Sequence, residues 1–379
     1  MKTTTKMTAL ALSAGLGIFF TAEAFANPTL EPRGRFHLDY GVHDEDDVPL
    51  GDGFLNRRAR MGVSGTLDDD WSFRIEYDFA ENGTSANDVY LRRRLGTGAV
   101  TIGQFKVPMG LNELTSSNNM TFIERASNSN TIVDSRRLGV GYHIDQDAVH
   151  FRIMGFGRSI GDSGTADGND ESLGVGARIA YAPRFNGQMV HIGASVAYED
   201  LRDQTDRRFR DRPEARPAGV RLIDTGTLGD VDSTTKYGLE LAYQAGPFSA
   251  EAEYISVRVD RDDNSDPTFD GYHIQASYVL TGESRGYRGG NFRGISPARS
   301  TGAWEIAARY SDIDLNNRGV QGGEQRNITL GVNYYATSNL RFMFNYIWVD
   351  VKDSTAVANG VEVGSDKPRI ALARAQYSF

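Results

Sequence analysis

Arginine is the residue in this chain whose type and spacing could do chemistry: 35 arginines stand against six lysines, and they cluster. Arg57, Arg58 and Arg60 fall together, Arg92, Arg93 and Arg94 are consecutive, and Arg202, Arg207, Arg208, Arg210, Arg212, Arg216 and Arg221 share one stretch of 20 residues. A guanidinium is permanently charged and presents a planar fork of donors that matches carboxylates and phosphates two bonds at a time. The chemistry on offer is recognition of oxyanions. Covalent catalysis finds no foothold, because His37, His43, His143, His150, His191 and His273 fall in no close Ser/His/acid arrangement. No P-loop, dinucleotide fingerprint or zinc spacing occurs, and a chain without cysteine has no thiolate metal site or disulfide. No cofactor, metal or nucleic-acid partner is expected.

The elements that position these arginines are read from periodicity. From Trp71 to Phe79 the odd positions are Trp, Phe, Ile, Tyr and Phe, while the even ones are Ser72, Arg74, Glu76 and Asp78. Strands send alternate side chains to opposite faces, and a transmembrane barrel wants an apolar outer face with aromatic girdles around a polar lumen. The pattern returns in Phe36/Leu38/Tyr40, Val190 to Tyr198, Tyr237 to Tyr243, Tyr272 to Tyr278, Trp304 to Tyr310 and Phe342 to Trp348. A mean hydropathy of −0.44 would pass as soluble, yet it is also the average of a lipid face and a water face. After the first two dozen residues no stretch approaches the roughly 20 apolar residues of a membrane-spanning helix.

Sixteen strands are expected, at 33–41, 54–67, 71–80, 86–96, 99–107, 137–145, 148–157, 172–182, 189–199, 234–244, 247–259, 271–281, 302–312, 326–336, 340–351 and 369–379. An even count puts both termini on one side and makes short turns alternate with long loops. The long connections fall at 42–53, 81–85, 108–136, 158–171, 200–233, 260–270, 313–325 and 352–368, and 282–301 is a long connection on the short-turn side. The loop of about 29 residues after Val107 is long enough to be functional, folding inward to narrow a pore or lying outside as surface. The fold class is therefore all-β: a sixteen-stranded antiparallel transmembrane β-barrel with infolded loops.

The N-terminus sets the compartment. Lys2 and Lys6 precede an apolar run from Ala9 to Phe20, and Ala24-Phe25-Ala26 is a small-x-small cleavage site, so 1–26 reads as a signal peptide and 27–379 as the barrel domain. Its removal takes two lysines and one glutamate, turning a net charge of −9 into −10.

If Ala59, Met61 and Val63 face lipid, Arg58 and Arg60 face the lumen. If Val89 and Leu91 do, Arg92 and Arg94 face it too. A ring of guanidinium groups in a narrow pore selects anions. Interior charges also brace barrel walls, and Arg74/Glu76, Glu240, Glu251, Glu253 and Arg309/Glu305 are read in that way.

Six segments carry a family resemblance: GQFKVPMGLNELTSSNNMTFIERA (103–126), FRDRPEARP (209–217), GLELAYQAGPFSAEAEY (238–254), LTGESRGY (280–287), GAWEIAARYS (302–311) and LGVNYYATSNLRFMFNYI (330–347). In order and spacing they resemble the phosphate-selective porin O and P family over essentially the whole mature chain. The resemblance implies a homotrimer in the bacterial outer membrane, with the third and fifth external loops and one periplasmic turn, here 282–301, folded into each pore. It also implies an arginine ladder leading to an oxyanion site, matched by Arg35, by Arg57/Arg58, and by Arg208, Arg210 and Arg212, with an acidic position at Asn87 or Asp88. Glu113 replaces an expected constriction-loop lysine, and Asn118 stands where another could be.

The expected function is passive transport of small anions, phosphate or related oxyanions, past Arg35, Arg57, Arg58, Arg60, Arg92, Arg94, Lys106, Arg208, Arg210 and Arg212. The alternatives are a general low-selectivity porin and a structural or adhesive outer-membrane barrel. A lipid hydrolase is disfavoured for want of a nucleophile constellation. The expected partners are small anions, outer-membrane lipid and two further copies of the chain.

Overall fold

Alternating lipid-facing and water-facing side chains build one closed antiparallel wall in the computed structural model, which describes residues 28–80, 83–162, 170–262 and 264–379. The signal-peptide reading falls on residues outside this set. The sixteen strands are β1 (Glu31–Asp44), β2 (Gly53–Thr66), β3 (Trp71–Asp78), β4 (Ser85–Leu95), β5 (Gly98–Lys106), β6 (Arg136–Gln146), β7 (Val149–Phe156), β8 (Leu173–Tyr181), β9 (Gln188–Asp200), β10 (Val231–Ala245), β11 (Phe248–Arg261), β12 (Thr268–Val279), β13 (Ala303–Asn317), β14 (Val320–Tyr335), β15 (Leu340–Ala358) and β16 (Arg369–Ser378). Each pairs with its sequence neighbours, and β16 returns to β1 with Arg35 opposite Ser378 and Asp44 opposite Arg369, which closes the sheet and leaves no edge.

The burial pattern is that of a membrane barrel. Phe36, Ile75, Ile192, Leu239, Leu241, Ile274, Leu330 and Phe344 are exposed, while His37, Asp39, Glu76, His191, Glu240, Glu253 and Arg374 are buried. Among the described residues no helix is long and apolar enough to cross a membrane.

Two expected loops are instead strand. The 313–325 segment turns tightly at Arg318-Gly319, both with positive φ, and pairs Asn317 with Val320. Past residue 351, β15 runs on to Ala358 and folds back through Asn359-Gly360 onto Val361–Asp366. Asn-Gly is a strong short-range hairpin signal, because both residues must take the left-handed conformation. These extensions make the wall uneven: β14 and β15 have 16 and 19 residues where β3 and β7 have eight each. At about 3.3 Å per residue that is roughly 60 Å of strand against about 26 Å.

Three segments fill the lumen. The loop from 107 to 135, with short helices α1 (Leu111–Leu114) and α2 (Ser127–Ile132), crosses to the tall side of the wall. Arg341 Nη1 donates to Met120 O at 2.6 Å, Asn345 Oδ1 accepts from Ile123 N at 2.8 Å, Arg374 Nη1 donates to Ile123 O at 2.6 Å, and Glu253 Oε2 accepts from Asn112 N at 3.0 Å. The loop from 201 to 230 follows it. Glu214 accepts from Ser127 N at 2.9 Å and Ser311 Oγ at 2.6 Å and pairs with Arg309, so Arg309 braces this loop and leaves Glu305 to Arg341, Asn333 and Tyr335. From the opposite end, the turn between β12 and β13 forms a hairpin, Tyr287–Arg288 against Asn291–Phe292. Gly289 and Gly290, both at positive φ, form its two-residue tip, and their carbonyls accept from Arg152 and Arg178 at 2.7 and 2.9 Å. The main hydrophobic cluster lies between the infolded loops and the tall wall, and includes Met109, Ile123, Phe209, Leu222, Val257, Phe269, Ile347 and Leu372.

Candidate functional site

Because the infolded loops lean on the tall wall, open space remains against β1 to β7. It is a cavity of about 1140 Å³. Thirteen arginines and Lys106 border it, against three carboxylates, Asp88, Glu113 and Asp145. Tyr90, Phe105, Tyr142 and Phe292 supply its aromatic surface, and Ser116 to Asn119 of the infolded loop face the arginine wall.

Two β-bulges help assemble this wall. His37 pairs with Arg58 while the next residue, Leu38, pairs with Asn56, so Arg57 is the residue the bulge inserts. Plain alternation would put Arg57 and Arg58 on opposite faces; the bulge lets both, together with Arg60, border the cavity. On β4 a second irregularity falls where Ile75 pairs with Val89 and Tyr77 with Ala86. There Asp88 lies on the cavity side.

The cations are held in a lattice of shared carboxylates. Glu76 takes Arg35 at 3.1 Å and Arg60 at 3.6 Å, Asp88 takes Arg136 at 2.7 Å and Arg74 at 3.2 Å, and Glu113 takes Arg125 at 2.8 Å and Lys106 at 3.0 Å. Each acid therefore sits between two cations, which leaves the group net positive. Arg57 makes a bidentate pair with Glu124 at 2.6 and 3.1 Å, Arg60 reaches Asp78 at 2.7 Å, Arg35 donates to Ser117 Oγ at 3.0 Å, and Arg58 reaches His37 Nδ1 at 3.4 Å. Arg92 donates to Thr101 at 3.0 Å and lies 4.9 Å above the Tyr90 ring. Burial pushes the Glu124 and Glu113 carboxyls up, but neighbouring cations, Arg57, Arg58 and Arg374 for the first and Arg125 and Lys106 for the second, outweigh it and hold both below the usual range. Both loop carboxylates stay ionised, as counter-charges inside a cationic lining.

Arg35, Arg57, Arg58, Arg60, Arg92 and Lys106 thus come together around one space. Arg94 does not: it lies at the short-turn end, more than half exposed, 3.8 Å from Asp70, beside a smaller cavity of about 340 Å³. Arg208 is exposed and bidentate to Asp224 at 2.7 and 2.6 Å, Arg210 is exposed, and neither they nor Arg212 line the large cavity; Arg216 of the same loop does. Arg33, Arg74, Arg125, Arg136, Arg152, Arg288 and Arg293 also border it. Arg74 was legible as an inward position of β3 but was assigned to bracing. Arg288 and Arg293 belong to the long turn whose inward fold only the resemblance suggested.

The model of the phosphate-selective porin O and P family matches residues 31–379. Porin O of Pseudomonas aeruginosa is 30% identical over 356 residues, covering 83% of this chain and 81% of the relative. A Caulobacter vibrioides protein of no stated function is 32% identical over 349 residues, covering 88% and 71%. Among solved structures, the anion-selective porin from Comamonas acidovorans superposes with a TM-score of 0.62 at 14% identity, covering 93% of this chain and 100% of that one. OmpT of Vibrio cholerae, described in its trimer form, gives 0.58 at 13%, with the same coverage. These likenesses share the barrel fold, and the family match makes the chain a channel and not an enzyme. With its closed sixteen-stranded wall and a match from Glu31 to the last residue, the chain belongs to the phosphate-selective porin O and P family of outer-membrane porins.

Proposed function

We propose that the pore passes small anions, phosphate or related oxyanions in preference to others, along the cationic lane between the infolded loop and β1 to β7. The observation that carries this reading is the imbalance of charge around the cavity, thirteen arginines and one lysine against three carboxylates. Guanidinium nitrogens there still lack a protein acceptor: Nε of Arg33, Arg35, Arg58 and Arg74 and Nη1 of Arg152 are buried without one. Such donors are satisfied by water or by an oxyanion in transit, and sharing the rest with carboxylates keeps retention weak enough for exit. The anion-selective porin among the similar folds is consistent with this reading. We also propose that residues 1–26 direct export and that the protein works as a homotrimer, as the trimeric OmpT suggests.

A general low-selectivity porin is the second reading, favoured by the number of arginines already paired. Planar-bilayer recording with a salt gradient separates the two. The expected result is an anion-preferring reversal potential and a chloride current that inorganic phosphate reduces in a saturable way. A cation-preferring potential would sink the anion reading, and a chloride current indifferent to phosphate would leave the general porin.

A further inference from the structure

Lys106 is the single lysine among the described residues lining the cavity, and its ammonium points at the infolded loop. Nζ lies 3.0 Å from Glu113 Oε1 and also donates to the Glu113 carbonyl oxygen. On the other side of the same carboxylate, Arg125 Nε is 2.8 Å from Oε2, and its Nη2 donates to the backbone oxygens of Glu113 and Thr115 at 3.0 and 2.9 Å. All three side chains border the cavity and all are largely buried. On the strand side Lys106 pairs in register with Arg136, whose guanidinium is taken by Asp88 at 2.7 Å. Among the described residues the acid that Lys106 pairs with is Glu113, and that acid comes from the loop.

We propose that Glu113 is a specificity-determining residue, an internal counter-ion that holds Lys106 and Arg125 and so sets how strongly the narrow part of the pore retains a passing oxyanion. The inference rests on the anion-transport reading above. Its physical basis is that one carboxylate acts twice: it repels the anion directly, and it occupies donors of two cations that would otherwise face the lumen. A loop clamp of purely structural value would behave differently, because it depends on the hydrogen-bonded geometry and not on the charge seen by the permeant ion.

The test uses the full-length protein in planar bilayers, with inorganic phosphate as the probe against a chloride current. Glu113→Gln keeps the shape and removes the charge, and the half-blocking phosphate concentration is expected to fall on the order of tenfold. Glu113→Asp is expected to return it toward the parent value. Lys106→Gln combined with Glu113→Gln is expected to abolish most of the gain, since the freed ammonium is what the phosphate meets. An unchanged half-block in Glu113→Gln, an equal change in Glu113→Asp, or a double substitution that keeps the full gain would overturn the proposal. Should Glu113→Gln fail to fold, the neutral Glu113→Ala is read in its place: a lower half-blocking concentration supports the counter-ion, and an unchanged one overturns it. A parent pore that prefers cations counts against the transport reading, whereas an anion-preferring parent with an unresponsive Glu113→Gln counts against Glu113 only.

Discussion

Residues in this pore act through how their charge is shared. Arg57 and Arg58 are neighbours in sequence and both border the cavity only because a bulge inserts Arg57 between the partners of His37 and Leu38. Alternation made Arg58 and Arg60 legible as inward residues and the family motif added Arg57, but no pattern of apolar positions announces the bulge. Arg208 and Arg210 were conspicuous by density alone; Arg208 is matched by Asp224, an acid whose spatial proximity the linear sequence hides. Asp211, beside them, is the converse case. Its Oδ2 is buried without a partner, and burial, reinforced by Glu214 and Glu124, pushes its carboxyl well above the ordinary range despite the Arg212 N–H. A carboxyl raised in the folded state gives up stability as pH rises past its unfolded value, at up to about 1.4 kcal/mol per pH unit until the folded value is reached. Docking of the 201–230 loop should therefore loosen over the interval above the ordinary carboxylate range. Limited proteolysis across that interval should show rising cleavage in the parent and a flat profile in Asp211→Asn; a parent profile as flat as the variant's would refute the assignment.

Elements carry the constriction. The first infolded loop is held from above by Glu214 and from below by the hairpin at 287–292, where Phe292 packs with Leu111, Met189 and Ala242, and Arg285 Nη2 donates to Asn119 O at 2.6 Å. Loop and turn approach from opposite faces of the membrane and meet inside. Phe292→Ala removes the apolar half of that meeting, and emptying a buried phenylalanine site costs about 3–5 kcal/mol in an ordinary core. The barrel itself should survive, because its ladder is independent of the turn. Single-channel recording should show a larger and noisier conductance, and a current trace identical to the parent's would mean the turn does not support the loop. The length of the loop was readable beforehand, as was the anomaly of a long turn on the short side. What sequence could not supply was the set of receptors on the wall, Asn345, Arg341, Arg374 and Glu253, because each is merely one more polar position in an alternating strand. The Asn359-Gly360 and Arg318-Gly319 hairpins were missed for a different reason: no Phe, Tyr or Trp alternates along 313–325 or 352–366, so the extended strands run on without the aromatic pattern that marks the others.

For the whole molecule, net charge is a poor guide to field. The chain is acidic, yet the cavity against β1 to β7 is bordered by an excess of cations, since the acids lie in loops and behind the lining as partners. Selectivity from such a distributed field should weaken as salt screens it, the Debye length falling from about 10 Å at 0.1 M to about 3 Å at 1 M. Reversal potentials taken at a fixed concentration ratio but rising absolute salt should drift toward zero; a selectivity independent of salt would place it in tight contacts alone. One further consequence follows from Arg374. It stands on the last strand, bonds Asp39 on the first at 2.6 and 2.7 Å, and also reaches Ile123 O at 2.6 Å and Glu124 at 3.1 Å on the infolded loop. A seam joined two residues out of register would strand this guanidinium away from all three. Closing the wall and seating the loop thus draw on the same side chain: a barrel zipped around an unseated loop keeps the Asp39 bonds of its seam but leaves Nη1 of Arg374 without its Ile123 acceptor.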